Sequence, residues 1–272
     1  MMKKTLDLKL WEDFNVNNSI SDTKAYYKNY LSFLETVKKL PTNELIKQGW
    51  LTNKNDLASL VPLFQNMVDE NFQVLFRKST TSNEALYALW LSRVSNTAKE
   101  RILKQEVSKF EGLTKENLKD VAKLSPNESL ILELPSILAK HGIVLVFEQG
   151  IKSMKLDGAV FKLFTGHPVI GLSFRYSRID NFWFTLMHEL SHIVLHYEQL
   201  DTPIFDDLDE ESTDLIEKQA NRLAKNSFVE KAIWRSCKAN YQTGDEIVYE
   251  FAKEVGIHPA IIAGLLQYEK KS

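Results

Sequence analysis

The segment His188-Glu189-Leu190-Ser191-His192 places two imidazoles four residues apart, with a carboxylate directly after the first. On a helix, residues four apart share one face and stand one turn from each other, so both rings can reach a single ion. Glu189 then sits beside that ion. Its carboxylate can take a proton from a water held at the metal and pass it to a leaving amine. The pattern predicts a Zn2+ site with ligands His188 and His192 and general base Glu189. Chance is a weak rival, because with 6 histidines in 272 residues a random match has odds on the order of one in a hundred. The apolar flanks Phe182–Met187 and Ile193–Leu195 bury the segment, where a carboxylate between two histidines is costly without a metal or a partner.

A catalytic zinc needs a third protein ligand and one open position. His196 continues the series by one turn, yet it lies about 9 Å along the helix axis from the midpoint of the first pair, and a zinc–nitrogen bond spans only about 2 Å. Side chains on one helix run parallel, so His196 is expected to touch a ligand histidine or to sit at the surface. The ligand then comes from a second helix. Glu217 is the best placed, with Asn221 one turn later to hydrogen-bond a ligand histidine and fix its tautomer. Small Ala220 permits close helix approach. On spacing alone, Asp214 and Glu211 remain rivals.

Arg175, Tyr176 and Arg178 precede the histidine helix and are candidates for stabilising an oxyanion on a scissile carbonyl; ordinary surface polarity is the competing reading. The run Asp206-Asp207-x-Asp209-Glu210-Glu211 reads as a solvated loop between the two ligand helices. Its alternatives are a lid or a docking face for a basic partner. Near the end, Ala252-x-x-x-Gly256-Ile257 has the form of a helix-turn-helix turn. The residues that follow, His258 to Leu265, are a packing surface and not a set of base-reading groups.

The elements that must position these residues follow from periodicity. Ser21–Leu40, Asn43–Gln48 (opened by Pro41 and stopped by Gly49), Asn55–Val68 and Asn83–Val94 read as helices, with Ala98–Phe110 continuing the last. The aromatics of this half, such as Trp50, Tyr87 and Trp90, are expected in the core. A helix over Asn127–His141 ends at Gly142. Strands are expected at Ile143–Phe147, Ala159–Phe164 and Val169–Phe174, the last two joined by the turn Thr165-Gly166-His167-Pro168. A helix over Asn181–Tyr197, N-capped by Asp180, carries the histidines. The acidic loop Asp201–Glu211, a helix over Ser212–Asn226 and two or three short helices complete the chain. The expected class is α+β, with a helical domain over residues 1–125 and a domain with a small sheet over 126–272.

Composition is that of a soluble globular protein, 44% hydrophobic and 26% charged. A net charge of -2 supplies no general attraction to nucleic acid or anionic membrane. The single cysteine, Cys237, excludes an internal disulfide and a thiolate zinc cage. The start carries Lys3 and Lys4, but Asp7 and Lys9 interrupt the apolar run a signal peptide needs, and no apolar run reaches membrane-spanning length, so the chain is expected in the cytoplasm.

Phe182-Trp183-Phe184-Thr185-Leu186-Met187 running into His188–His196, followed by Glu217-x-x-Ala220-Asn221-Arg222-x-Ala224, resembles the ImmA/IrrE family of zinc metallopeptidases. The resemblance extends over Gly142–Phe147, Gly158–Phe164, Pro168–Arg175 and Gly256-Ile257-His258-Pro259, about half the chain. It implies a zincin-like fold, metal ligands His188, His192 and Glu217, and base Glu189. It also suggests that a peptide substrate lies along an edge strand, Val169–Phe174 or Ala159–Phe164. Leu40-Pro41-x-x-Glu44-Leu45-Ile46-Lys47-x-Gly49-Trp50 and Phe76-Arg77-Lys78-Ser79 are similar to the linker of longer, HigA-like regulators. Those carry a helix-turn-helix head, for which the residues before Leu40 are too few, so specific DNA binding is not expected. Two positions depart from the family pattern: Ser191 stands where Gly is usual, and Phe228-Val229 replaces an apolar-Pro pair. The implied function is a zinc endopeptidase that cuts a regulatory protein in a bacterial or phage regulatory or defence switch. The implied partner is a helix-turn-helix repressor or a toxin encoded nearby. The alternative is a non-catalytic, zinc-containing antitoxin or binding module, which has no need of Glu189.

Overall fold

The computed structural model describes residues 27, 31, 40–54, 82–151, 154–175, 177–206, 215–237 and 244–269. The chain divides into two compact units, Met1–Leu40 and Pro41–Ser272, and the candidate site lies wholly in the second. The domain boundary expected near Ser125 falls inside that second unit. The expected helix Ser21–Leu40 is described only at Tyr27 and Leu31, both helical and exposed, and at Leu40; Asn55–Val68 lies outside the described residues.

Helix α1 (Thr42–Lys47) follows Pro41 and stops before Gly49, whose φ of 71° suits glycine. Helix α2 (Ser82–Leu103) ends short of the expected Phe110. Gln105 turns the chain at φ 58°, and the Ser108 amide donates to the Ala139 carbonyl at 2.9 Å instead of to a helical partner. Helix α3 (Lys115–Ala122) was not anticipated; Thr114 and Asn117 form its capping box. The single helix expected over Asn127–His141 is broken into a 3₁₀ turn, Glu128–Leu132, and α4 (Leu134–Ala139). Pro135 explains the break, since a proline without its N–H is tolerated only in a helix's first turn.

The three expected strands are present as β1 (Val144–Phe147), β2 (Gly158–Lys162) and β3 (Pro168–Leu172). Helix α5 (Ile179–His196) follows, then β4 (Ile204–Asp206), a short strand inside the stretch read as an acidic loop. Helix α5 begins one residue before Asp180, so Arg178 takes the N-cap position and Asp180 is not the cap. Helices α6 (Leu215–Phe228), α7 (Lys231–Ser236), α8 (Asp245–Val255) and α9 (Pro259–Glu269) complete the unit.

The sheet order is β1-β3-β2-β4, with β1 parallel to β3 and the other pairs antiparallel. Both strands proposed as a substrate edge are therefore interior, each paired on two sides; the edges are β1 and β4, and β4 brings Asp206 to 3.9 Å from His188 Nε2. Pairing with three residues of β2 makes that segment a strand, a long-range cause that local sequence does not carry.

Register sorts the side chains into two faces. Val146, Gly171, Ala159 and Phe205 form one row, facing α2: Trp90 closes on Gly171 and Tyr87 stacks on Phe205 at 5.4 Å. The Trp90 indole N–H also donates to the Glu148 carbonyl at 2.8 Å, and the Arg101 guanidinium donates to the Leu145 and Pro135 carbonyls at 3.1 Å. Leu145, Ile170 and Val160 face the other way and join Trp183, Leu186 and Leu190 of α5 in the core. The next row on that face is Phe147, Leu172, Gly158 and Asp206, which runs beneath the histidines. Helix α9 packs its buried Ile261, Ile262 and Leu265 into the same core, so its apolar residues serve the fold.

Candidate metal centre

Helix α5 carries His188, Glu189 and His192 into the interior, each no more than 1% exposed. An α-helix presents residues four apart on one face, and the two ring Nε2 atoms meet at 2.9 Å. Helix α6 packs across α5 and brings Glu217 to them. Its carboxylate lies 3.0 Å from His188 Nε2 and 3.5 Å from His192 Nε2. One ligand atom from each of the three residues lies within 4.8 Å of the others. Of the rival carboxylates, Glu211 and Asp214 fall outside the described residues.

Asn221, one turn after Glu217, places its Oδ1 3.0 Å from His188 Nδ1. An acceptor there holds the ring proton on Nδ1 and leaves the Nε2 lone pair for the site. His196 is buried and its Nδ1 lies 3.1 Å from His192 Nδ1, on the far side of that ring from the converging atoms. Its other nitrogen lies 3.0 Å from Gln219 Oε1.

Glu189 is fully buried over β2, and neither carboxylate oxygen has a hydrogen-bond partner among the described residues. Space for it exists because position 158 is glycine: a Cβ there would collide with Glu189 Oε1 and stand 2.8 Å from Thr185 Cγ2. The next position in the same cross-strand row is Asp206, whose Oδ1 lies 3.9 Å from His188 Nε2. Asp157 adds a further buried carboxyl, and its amide donates to the Asp206 carbonyl at 2.9 Å.

This concentration of carboxylates sets the protonation of the metal-free site. Burial opposes the His188 imidazolium, but Asp206, Glu217 and Glu189 outweigh it and push the pKa up to about 9. Burial works against the Glu217 carboxylate as well, yet the His188 and His192 rings beside it bring it down to about 2. Glu189 is driven well above the usual carboxyl range, first by burial and then by Asp206, Glu217 and Asp157, against the pull of His188. Burial lowers His192, which keeps that ring neutral.

Two imidazole lone pairs and a carboxylate converging in a buried site repel one another unless a proton or a cation lies between them. Two histidines and one glutamate are a donor set suited to a divalent metal such as zinc, and the orphaned Glu189 carboxylate stands beside it. The residues therefore fit a metal ion.

The oxyanion candidates are less close together. Arg175 sits 3.5 Å from Asp157 Oδ2, at a small cavity also lined by Leu172, Phe174, Phe182 and Thr185. Thr185 is one turn before Glu189, so this cavity opens beside the base. Arg178 pairs with Asp180 at the start of α5, eight residues before His188, and is not brought to the histidines. Tyr176 lies outside the described residues. Sequence reasoning gave no site role to Asp157, Gly158 and Gln219, and it read Asp206 as part of a solvated acidic loop. Only Gln219 had a legible signal, its position between Glu217 and Asn221 on a helix already assigned to the site.

Residues 138–263 match the family model Peptidase M78, described as the IrrE N-terminal-like domain. The matched segment contains every described member of the centre, from Asp157 to Asn221. No curated protein and no solved structure gives a match to the chain.

Proposed function

Because residues 138–263 form a domain of the ImmA/IrrE family, whose function is of the metallopeptidase type, we propose that this chain is a zinc endopeptidase that cuts a regulatory protein. The observation that carries the reading is Glu189, a buried carboxylate without a hydrogen-bond partner among the described residues, set beside three converging ligand groups. A purely structural metal site has no use for it. His188, His192 and Glu217 would hold the metal, which supplies Lewis acidity toward a scissile carbonyl and a lowered pKa for water. Glu189 takes the proton of the attacking water and delivers it to the leaving amine. Asn221 holds the His188 ring in the tautomer that directs Nε2 inward.

Arg175 is the oxyanion candidate nearest the base, and its guanidinium must leave or share Asp157 to serve. The substrate class is protein, in the setting the resemblance implies: a repressor or toxin encoded nearby, cut at one or few bonds in the bacterial cytosol. Among the described residues no helix is long and apolar enough to cross a membrane.

The test is incubation with the product of the adjacent gene, with and without chelator, using wild type and Glu189→Gln. General base catalysis contributes a factor of about 100 to 10,000, so the variant is expected to bind the partner and leave it intact. Wild-type cleavage by Glu189→Gln would remove the peptidase reading and leave a partner-binding module in its place.

A further inference from the structure

Both ring nitrogens of His196 are engaged, and the direction of their hydrogen bonds decides which nitrogen of His192 carries the proton. His196 Nδ1 lies 3.1 Å from His192 Nδ1, and His196 Nε2 lies 3.0 Å from Gln219 Oε1. A nitrogen–nitrogen contact of that length needs a proton on one ring and a lone pair on the other. His192 presents Nε2 to the site, 2.9 Å from His188 Nε2 and 3.5 Å from Glu217 Oε1. To act as a ligand atom that nitrogen must keep its lone pair, so the proton stands on Nδ1. His192 Nδ1–H then donates to His196 Nδ1, His196 carries its own proton on Nε2, and Nε2–H donates to the Gln219 amide oxygen. Every link agrees with the observed contacts. Run backwards, with the Gln219 amide N–H donating, the same chain puts a proton on His192 Nε2 and closes that atom to a metal.

We propose that His196 and Gln219 form a tautomer relay that sets His192 as a metal ligand. Both are positioning residues, since neither reaches the converging atoms. The arrangement also explains why helix α6 controls the whole centre. It supplies Glu217 directly, orients His188 through Asn221, and orients His192 at one remove through Gln219 and His196. His196, too far along the axis to bind the ion, is instead the group through which α6 reaches the second histidine.

The relay rests on the metal-centre reading, and the experiment separates the two. Zinc affinity is measured by competition with a chromophoric chelator for wild type and for His188→Ala, His196→Leu, His196→Asn and Gln219→Glu. Loss of a partner to a ligand histidine weakens metal binding by about 10- to 100-fold, which is expected for His196→Leu. His196→Asn, whose amide oxygen can take the place of Nδ1 as acceptor, is expected to recover most of that loss. Gln219→Glu, an acceptor only, is expected to bind at least as tightly as wild type. Long-range proton–nitrogen correlation in the metal-free wild type, which needs no variant to fold, is expected to show His192 protonated on Nδ1. A proton mainly on His192 Nε2 overturns the relay. So does His196→Leu at wild-type affinity, or His196→Asn no better than His196→Leu, while His188→Ala loses zinc. If His188→Ala also keeps full affinity, the metal centre itself is wrong and the relay falls with it.

Discussion

The Glu189 carboxylate occupies the volume into which a side chain at Gly158 would project. The two residues come from different elements, α5 and β2, and the glycine is what lets the base lie flat against the sheet. Gly158→Ala would press on Glu189 at one point and on the Thr185 methyl at 2.8 Å, and the second is held in place because the Thr185 hydroxyl donates to the Asn181 carbonyl at 2.9 Å. Overpacking of this kind costs about 1–3 kcal/mol. The expected outcome is a folded, zinc-loaded protein with a lower thermal midpoint and cleavage reduced by about tenfold or more, since small displacements of a catalytic group are expensive. Wild-type stability and cleavage in that variant would show that the contact is not tight.

Zinc is expected at about one per chain in protein purified without added metal, as elemental analysis would report. His188→Ala and Glu217→Gln should lose it, because each removes one of three converging donors. Glu189→Gln should retain it, because that side chain faces β2 beside the donors and is not one of them. Retention of full occupancy by Glu217→Gln would return the third-ligand question to the acidic segment before α6.

The part of this centre that was legible in sequence is the part that is local. His188, Glu189 and His192 follow from helical spacing, and Asn221 from its one-turn offset to Glu217. The strands β1, β2 and β3 were legible from β-branched runs and the turn at Gly166. The parts that were not legible depend on residues distant in the chain. Strand β4 exists because Ile204 to Asp206 pair with β2, and that pairing moves Asp206 from a solvated loop to 3.9 Å from His188 Nε2. The same pairing removes β2 from the sheet edge. Helix α3 went unseen because its capping box uses Asn117 where Glu or Gln is the usual signal.

Metal binding near neutrality should release protons. In the metal-free site His188 titrates at about 9 and is charged at pH 7, whereas Glu217, brought down to about 2, is already ionised. The neutral imidazole is the ligand, so each ion bound must displace the His188 proton. Apparent zinc affinity should therefore climb as pH rises toward about 9 and level off above it. Calorimetry at pH 7 in buffers of different ionisation enthalpy should give at least one proton released per ion. A count of zero would mean that His188 is neutral before the metal arrives.

The stability of the metal-free protein should fall as pH rises, and Glu189 should account for a separable part of the fall. Burial is the largest influence on Glu189 and raises its folded-state pKa well above 4.5, so between those two values the folded chain holds a proton that the unfolded chain has lost. Stability then decreases with pH, being fully present below the unfolded pKa and lost as pH climbs through the folded one. His188, also raised, acts in the same direction up to about 9, while Glu217, lowered to about 2, loses its contribution only on acidification. Glu189→Gln leaves an amide that does not titrate, so its thermal midpoint should decline less steeply than that of wild type as pH rises above the ordinary carboxyl range. Whatever fixed cost the buried amide carries shifts the whole curve and leaves its slope alone. Parallel curves for the two proteins, recorded in chelator, would show that Glu189 is ionised in the folded state throughout and that burial does not govern it.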